Sequence, residues 1–424
     1  MTAETVAPRR TRVASGPGGP ATGRSSSASG AWLLVAAAMF VIGWGGNEFT
    51  PLLLVYRDTA GYSQVDVDVF LGAYVLGLVP GLLVASALSD RFGRRPLMLA
   101  GLVCSLVGSV VLAVGDVAGF GVLFAGRAFS GAAVGIAMAV GTTWVSELSA
   151  APYDLSAASG AGARRSSIAL SAGFGLGPAS AGILAQWATP PLVWPYVVQV
   201  LLCLPILVLL MRRGVETRRG HGSVRVLHRL RVPAAGHRRF VHVVLPMAPW
   251  IFGSAAIAYA IVPQLVDTAV GEWALLYTVG LTVATLGCGV AVQPIARRLD
   301  DVSTARAVVV SMVVMTVGIA LAALTALTGS PSLAAPVAVL LGAAYGIAVV
   351  SGLLEVQRIA EPDERAGLTG VYYSLAYLGF LLPAVLAGLH HWFGYVTMLG
   401  TVALVSLCCT LICASGWSRH LPAR

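Results

Sequence analysis

The sequence has no lysine, a single asparagine (Asn47), and only 11% charged residues in a chain of 424. Each shortage excludes something. Without lysine there can be no P-loop of the form G-x-x-x-x-G-K-S/T, so nucleotide hydrolysis at such a motif cannot drive this chain. Charge far below the roughly 25% of a soluble domain, together with 57% hydrophobic residues, excludes a soluble protein. The six cysteines (Cys104, Cys203, Cys288, Cys408, Cys409 and Cys413) all fall in apolar runs without metal-ligand spacing. They read as small core residues, not as disulfides or a metal site. No loop holds a nucleophile–base grouping or a metal-ligand cluster, so no enzyme, cofactor or metal is expected. All 27 basic residues are arginine, the usage expected of a GC-rich bacterial genome.

What the chain does contain is long apolar runs. A membrane span needs about 20 such residues, and twelve segments qualify: 31–56, 68–88, 96–115, 120–148, 166–188, 193–211, 240–264, 273–293, 305–327, 332–354, 368–389 and 394–416. Residues 1–30, rich in Ser, Gly, Pro and Arg, are expected to be a disordered tail. The first apolar run is too long for a signal-peptide core and should be retained as a helix.

Arginine sets the orientation. With the N-terminus inside, 25 Arg fall in the tails and inner loops, Arg57 alone lies outside, and Arg127 lies within a span. The net charge of +9 is therefore topological, and nucleic acid is not an expected partner. The segment 212–239 carries nine of these Arg and divides the chain into a six-helix half at 31–211 and another at 240–416, followed by a short tail at 417–424. It reads as a cytoplasmic linker held to anionic lipid, with a partner-binding segment as the alternative. The expectation is an all-α membrane protein of the cell membrane, monomeric, with both termini cytoplasmic.

Between the second and third spans stands SALSDRFGRRPLMLAG, residues 86–101. It resembles the signature loop of the major facilitator superfamily, G-x-x-x-D-R-x-G-R-R/K, through Asp90, Arg91, Gly93, Arg94 and Arg95, with Ser86 in place of the leading glycine. Gly93 permits a tight turn, and the charges can cap helix ends and pair within the half. The resemblance implies twelve helices in two pseudo-symmetric halves, alternating access, and a conformational gate at this loop. QPIARRLDDVSTAR, residues 293–306, looks like a degraded copy in the second half. GRAFSGAAVG, residues 126–135, resembles the R-x-x-x-G element linked in the family to proton coupling. GFGLGPASAG, residues 173–182, resembles the antiporter signature through Gly173, Gly177, Pro178 and Gly182; a general small-residue packing face is the other reading. The antiporter element tilts the reading toward efflux of a drug-like or metabolite compound in exchange for protons.

Ionisable side chains inside a span are costly and usually face a cavity. Glu48 and Arg127 are two such residues, at similar depth in the first and fourth spans, where the family's helices line the central cavity. A contact between them, direct or through water, is expected, with Glu48 exchanging a proton and Asn47 orienting the carboxylate or binding substrate; a purely structural pair is the alternative. Glu147 is expected to pair with Arg91 or Arg94, and Glu355 to belong to an inner gate or a snorkelling interface near Arg358. Tyr74, Trp144, Trp250, Tyr259, Gln264 and Tyr345 are candidate substrate contacts, although one sequence does not fix helix rotation. Proton-coupled uptake of a nutrient, and a non-transporting sensor or scaffold, are the rival functions.

Overall fold

The computed structural model describes residues 30–114, 119–158, 160–218, 232–361 and 365–418. The tail before Gly30, Asp116, linker residues 219–231 and the last six residues lie outside the described residues. Those described are almost wholly helical, with no β-strand among them.

Among the described residues, eleven helical segments are long and apolar enough to cross a membrane. We number them α1 (Ala31–Ala60), α2 (Gln64–Phe92), α3 (Arg94–Ala113), α4 (Phe120–Leu148), α5 (Ala161–Trp187) and α6 (Trp194–Arg213) in the first half. The second half begins with one segment of 52 residues, Phe240–Ala291. At 1.5 Å per residue it would be about 78 Å long, more than twice the roughly 30 Å of a bilayer core. It is broken at Gly271, where φ is 65°, and a short 3-10 turn at Gly271–Trp273 reverses the chain. It therefore makes two passes, α7 (residues 240–270) and α8 (Ala274–Ala291). With α9 (Arg306–Thr328), α10 (Pro331–Ile359), α11 (Gly367–Leu389) and α12 (Tyr395–Ser415), the passes number twelve, six in each half.

Local chemistry explains the ends. Gly61 in the left-handed region closes α1, and Ser63 with Asp66 forms a capping box at the start of α2. Gly93, at φ 100°, makes the abrupt turn from α2 to α3 that a side chain would strain.

Within the first half, α2 packs along α4, α1 along α5, and α3 between α4 and α6. These contacts are backbone-close. A Cβ at Gly131 would run into the Tyr74 carbonyl, and one at Gly135 into that of Leu78, so α2 and α4 touch main chain to main chain. The halves meet where α2 packs on α11, α5 on α8, and the second part of α1 on α8 and the middle of α7. The Arg-bearing loops cluster at one end of the bundle, here called the Arg-rich face.

Candidate functional site

α1 is not one continuous helix. It runs as Ala31–Asn47 and Phe49–Ala60, with Glu48 at the break. Pro51 explains the position: it has no amide to give the Asn47 carbonyl, and its ring crowds that turn. Glu48 is 0% exposed, and neither carboxylate oxygen has a hydrogen-bond partner. Asn47 is half-buried beside it.

Arg127 on α4 is 2% exposed and is the cation whose charge acts on Glu48. The two are not joined by a hydrogen bond or an ion pair within 4.0 Å. Arg127 instead donates from Nη1 to the Gly46 carbonyl at 3.3 Å and from Nε to the Phe70 carbonyl at 3.4 Å. Its guanidinium lies 4.4 Å from the Phe49 ring centroid and 4.8 Å from that of Tyr74. These long bonds and cation–π contacts fill only part of a five-donor group. Beside Glu48, the buried Tyr56 and Tyr196 hydroxyls hydrogen-bond to each other at 3.0 Å.

From Tyr74 an aromatic cluster crosses into the second half. Tyr74 meets Phe380 of α11 edge-on at 6.1 Å. Phe252 of α7 stacks on Tyr377 at 4.1 Å and on Phe380 at 5.1 Å, with Tyr345 of α10 5.6 Å from Phe252. Tyr259 approaches Phe380 at 6.4 Å from a wide-turned stretch of α7, Ile257–Ile261, a helical distortion common at functional sites. The Tyr377 hydroxyl donates to the Met138 sulfur across the halves at 3.0 Å. Tyr74, Tyr259 and Tyr345 are sequence candidates brought together here. Phe252, Tyr377 and Phe380 were not; the signal available was the aromatic run YYSLAYLGF at 372–380.

The remaining candidates lie elsewhere. Trp144 is fully buried, but its indole donates to the Val215 carbonyl at 3.0 Å, near the Arg-rich face and away from the aromatic cluster. Trp250 is half-buried, two residues before Phe252. Gln264 is near the opposite face, where it accepts from the Tyr395 hydroxyl at 3.5 Å. There it lines a cleft with Thr50, Arg57, Gln64, Tyr259 and Thr278. Above that cleft Arg57 of α1 binds Asp267 of α7 at 2.9 Å, joining the halves.

At the Arg-rich face, Arg94 bridges Asp90 at 3.0 Å and Glu147 at 2.9 Å and donates to Ser89 at 2.6 Å. Ser89 in turn donates to the carbonyl of Ser86 at 2.9 Å. The start of the linker sits on this loop: Glu216 accepts the backbone amides of Arg94 and Arg95, both at 2.9 Å, Thr217 donates to Glu147, and Arg218 reaches Asp90 at 3.1 Å. Glu216 thus caps the N-terminus of α3. Arg95 donates to the Met211 carbonyl, and Arg91 lies over Phe92 at 5.1 Å. In the second half Glu355 binds Arg239 through two bonds of 2.8 Å and Arg358 at 3.3 Å, and Arg358 also pairs with Asp300.

On α5, Gly173 and Gly177 lie against the α1 backbone at Phe40 and Trp44, and Gly182 against Val279 of α8. Pro178 sits inside the helix between them.

A sequence profile described as Major Facilitator Superfamily matches residues 33–382. A probable polyol transporter 3 of Arabidopsis thaliana is 27% identical over 126 residues, which is 30% of this chain and 24% of that protein. The match thus spans about a quarter of the plant protein's length. Among solved structures, a POT family transporter in complex with 5-aminolevulinic acid superposes with a TM-score of 0.67 at 13% identity, covering 92% of this chain and 96% of its own. A mutant peptide transporter POT in complex with sulfate superposes with a TM-score of 0.72 at 14% identity, covering 93% and 96%. At such identities these likenesses concern the fold.

Proposed function

The chain belongs to the major facilitator superfamily, and from that premise we propose that it is a proton-coupled exporter of a small amphiphilic compound, working by alternating access. The Arg-rich face, on this reading, is cytoplasmic, in the cell membrane of a bacterium, with both termini inside and the monomer as the working unit.

The observation that carries the proposal is Glu48: a fully buried carboxylate at a helix break with no hydrogen bond to either oxygen. An ionised carboxylate left so would cost several kcal/mol or more, so its charge state must be matched by a change around it. Arg127 supplies that change. With Glu48 protonated, the guanidinium rests on Phe49, Tyr74 and the carbonyls of Gly46 and Phe70. With Glu48 ionised, it is drawn off those surfaces toward the carboxylate. Tyr74 loses its cation in that step, and Tyr74 touches Phe380 of the other half. Proton loss at Glu48 is thereby felt at the contact between halves, where the rings of Phe252, Tyr259, Tyr345, Tyr377 and Phe380 present apolar faces to an amphiphilic substrate. A cationic substrate would compete with the proton for Glu48 directly, which is the simplest form of exchange.

The test uses inside-out vesicles with an acidified lumen and a trapped pH dye. An exported compound added outside should release lumenal protons, and Glu48→Gln should abolish the release. An exporter whose response survives Glu48→Gln does not couple through this residue. A nutrient symporter gives the opposite sign, with proton loss only when substrate is preloaded in the lumen. A wild type silent across a broad panel of compounds is a scaffold.

A further inference from the structure

A second buried carboxylate lies on α2, two residues before Phe70, whose ring meets that of Phe49 at 6.1 Å. Asp68, in the second turn of α2, is 1% exposed. One of its oxygens accepts from Gln64 Nε2 at 2.8 Å, and the other has no partner. Its electrostatic neighbour is Arg57, the residue that closes the face opposite the Arg-rich one by binding Asp267 across the halves.

We propose that Asp68 is a second proton-binding carboxylate, and that it governs opening of this face by competing with Asp267 for Arg57. The argument is one of partner accounting. While the face is closed, Arg57 is held by Asp58 and Asp267, each at 2.9 Å, and an ionised Asp68 would be buried with one hydrogen bond and no ion-pair partner, which is strongly unfavourable. The closed face therefore holds Asp68 in its neutral, protonated form. When the halves part, Arg57 loses Asp267, which leaves with α7. The free oxygen of Asp68 is an unfilled acceptor on Arg57's own half and already within reach of its charge, and ionisation there is now compensated by the guanidinium. Opening releases one proton and closing takes one up.

The other groups around Asp68 fit this assignment. Asp58 follows Arg57 on α1 and stays with it in both states. Asp66 is committed to the capping box with Ser63. Tyr395, at the start of α12, feels both Asp68 and Arg57, donates to Gln264 and carries His390 stacked on it at 4.4 Å. Phe120 of α4 packs on Phe70 without adding charge. Of these neighbouring groups, only Asp68 is both buried and left with an empty acceptor. The gate on this reading faces outward, which rests on the orientation proposed above, but the proton step itself needs no substrate and no assignment of Glu48.

Hydrogen exchange of the full chain in lipid nanodiscs tests it. Amides of residues 55–62 and 264–271 are followed between about pH 5.5 and about pH 8 in wild type and Asp68→Asn, the ratio at each pH cancelling the intrinsic rate. Opening linked to one proton should favour exchange as pH rises, by up to about tenfold per unit. Asp68→Asn should stay slow and flat, and Asp267→Asn should exchange fast throughout. A ratio of wild type to Asp68→Asn that does not change with pH overturns the proposal. Should Asp68→Asn fail to fold, Asp68→Glu must retain a pH-dependent opening with a shifted midpoint, and a wild type whose intrinsically corrected exchange is flat also overturns it. Because no compound is added, failure here leaves the vesicle experiment on Glu48 standing, and the reverse holds too.

Discussion

In the second half the buried carboxylate Glu355 takes two bonds of 2.8 Å from Arg239 and one of 3.3 Å from Arg358. In the first half Glu48, equally buried, takes none. Arg239 is well filled too, its Nη1 donating to the carbonyls of Gly416 and Trp417 at 3.0 and 3.4 Å, whereas Arg127 rests on ring faces and two long bonds. A charge with every partner in place can change state only by breaking several bonds at once. A charge with none responds to a single proton. The contrast separates a fully paired anchor at the end of α7 and α10 from an unpaired carboxylate between α1 and α4, the centre proposed above to respond to a proton.

The largest expected effect tests the anchor. Glu355→Ala strands the fully buried Arg239 and should lower stability by about 3–5 kcal/mol, read as a large fall in the thermal midpoint of the purified protein. Glu48→Ala should leave that midpoint within about 1 kcal/mol of wild type or raise it, since no hydrogen bond is lost; an equal fall in both variants would erase the contrast. Function should rank them the other way. Glu48→Gln should cut proton-driven flux by at least tenfold, a factor worth about 1.4 kcal/mol, while substrate binding measured without a gradient persists. A smaller effect asks whether the first half is loose in its packing too. A Cβ at Gly177 would run into the Trp44 carbonyl, whereas Gly175 has open space around it. Gly177→Val should therefore cost about 1–3 kcal/mol and Gly175→Val within about 0.5 kcal/mol, so that the freedom lies in the charges alone.

The smallest effect concerns a paired acid of the first half outside the membrane. Arg165 binds Asp154 at 2.8 Å and Ser156 adds two further bonds, which together hold the Asp154 carboxyl below its usual range. A folded value below the unfolded one, about 3.9, stabilises above that pH, and the contribution is lost as pH falls through the folded value. Asp154→Asn should flatten the last part of the acid unfolding curve and change nothing near neutrality. Were it to alter transport near neutrality, responsiveness would belong to the whole half and not to its unpartnered positions.

The twelve passes were legible because unbroken apolar length is a one-dimensional property. Even the junction of α7 and α8, where the helical segment is continuous but for Gly271–Trp273, falls in the gap between the apolar runs 240–264 and 273–293. Rotation about a helix axis is not one-dimensional, and here the reading was mixed: Tyr74, Tyr259 and Tyr345 converge, while Trp144 turns to Val215 and Gln264 to Tyr395. Glu48 and Arg127 were found by the cost of charge in lipid, but their lack of a direct bond was not, since it depends on where Phe49 and Tyr74 place their rings. Pro51 did mark the break at Glu48 and could have been read. The linker's arginines suggested lipid; its one acid in the described stretch, Glu216, does the docking, because amides at the start of a helix attract a carboxylate.

The meeting of Gly131 and Gly135 with the carbonyls of Tyr74 and Leu78 bears on how such a transporter can diversify. Two helices in main-chain contact leave no room for a side chain between them, so neither can shift without carrying the other. Tyr74 and Arg127 are thereby bolted to one frame, and their spacing is insulated from changes on the facing half. On the function proposed above, residues such as Phe252, Tyr345 and Phe380 can then be exchanged one at a time, altering what is carried while the proposed proton site keeps its alignment.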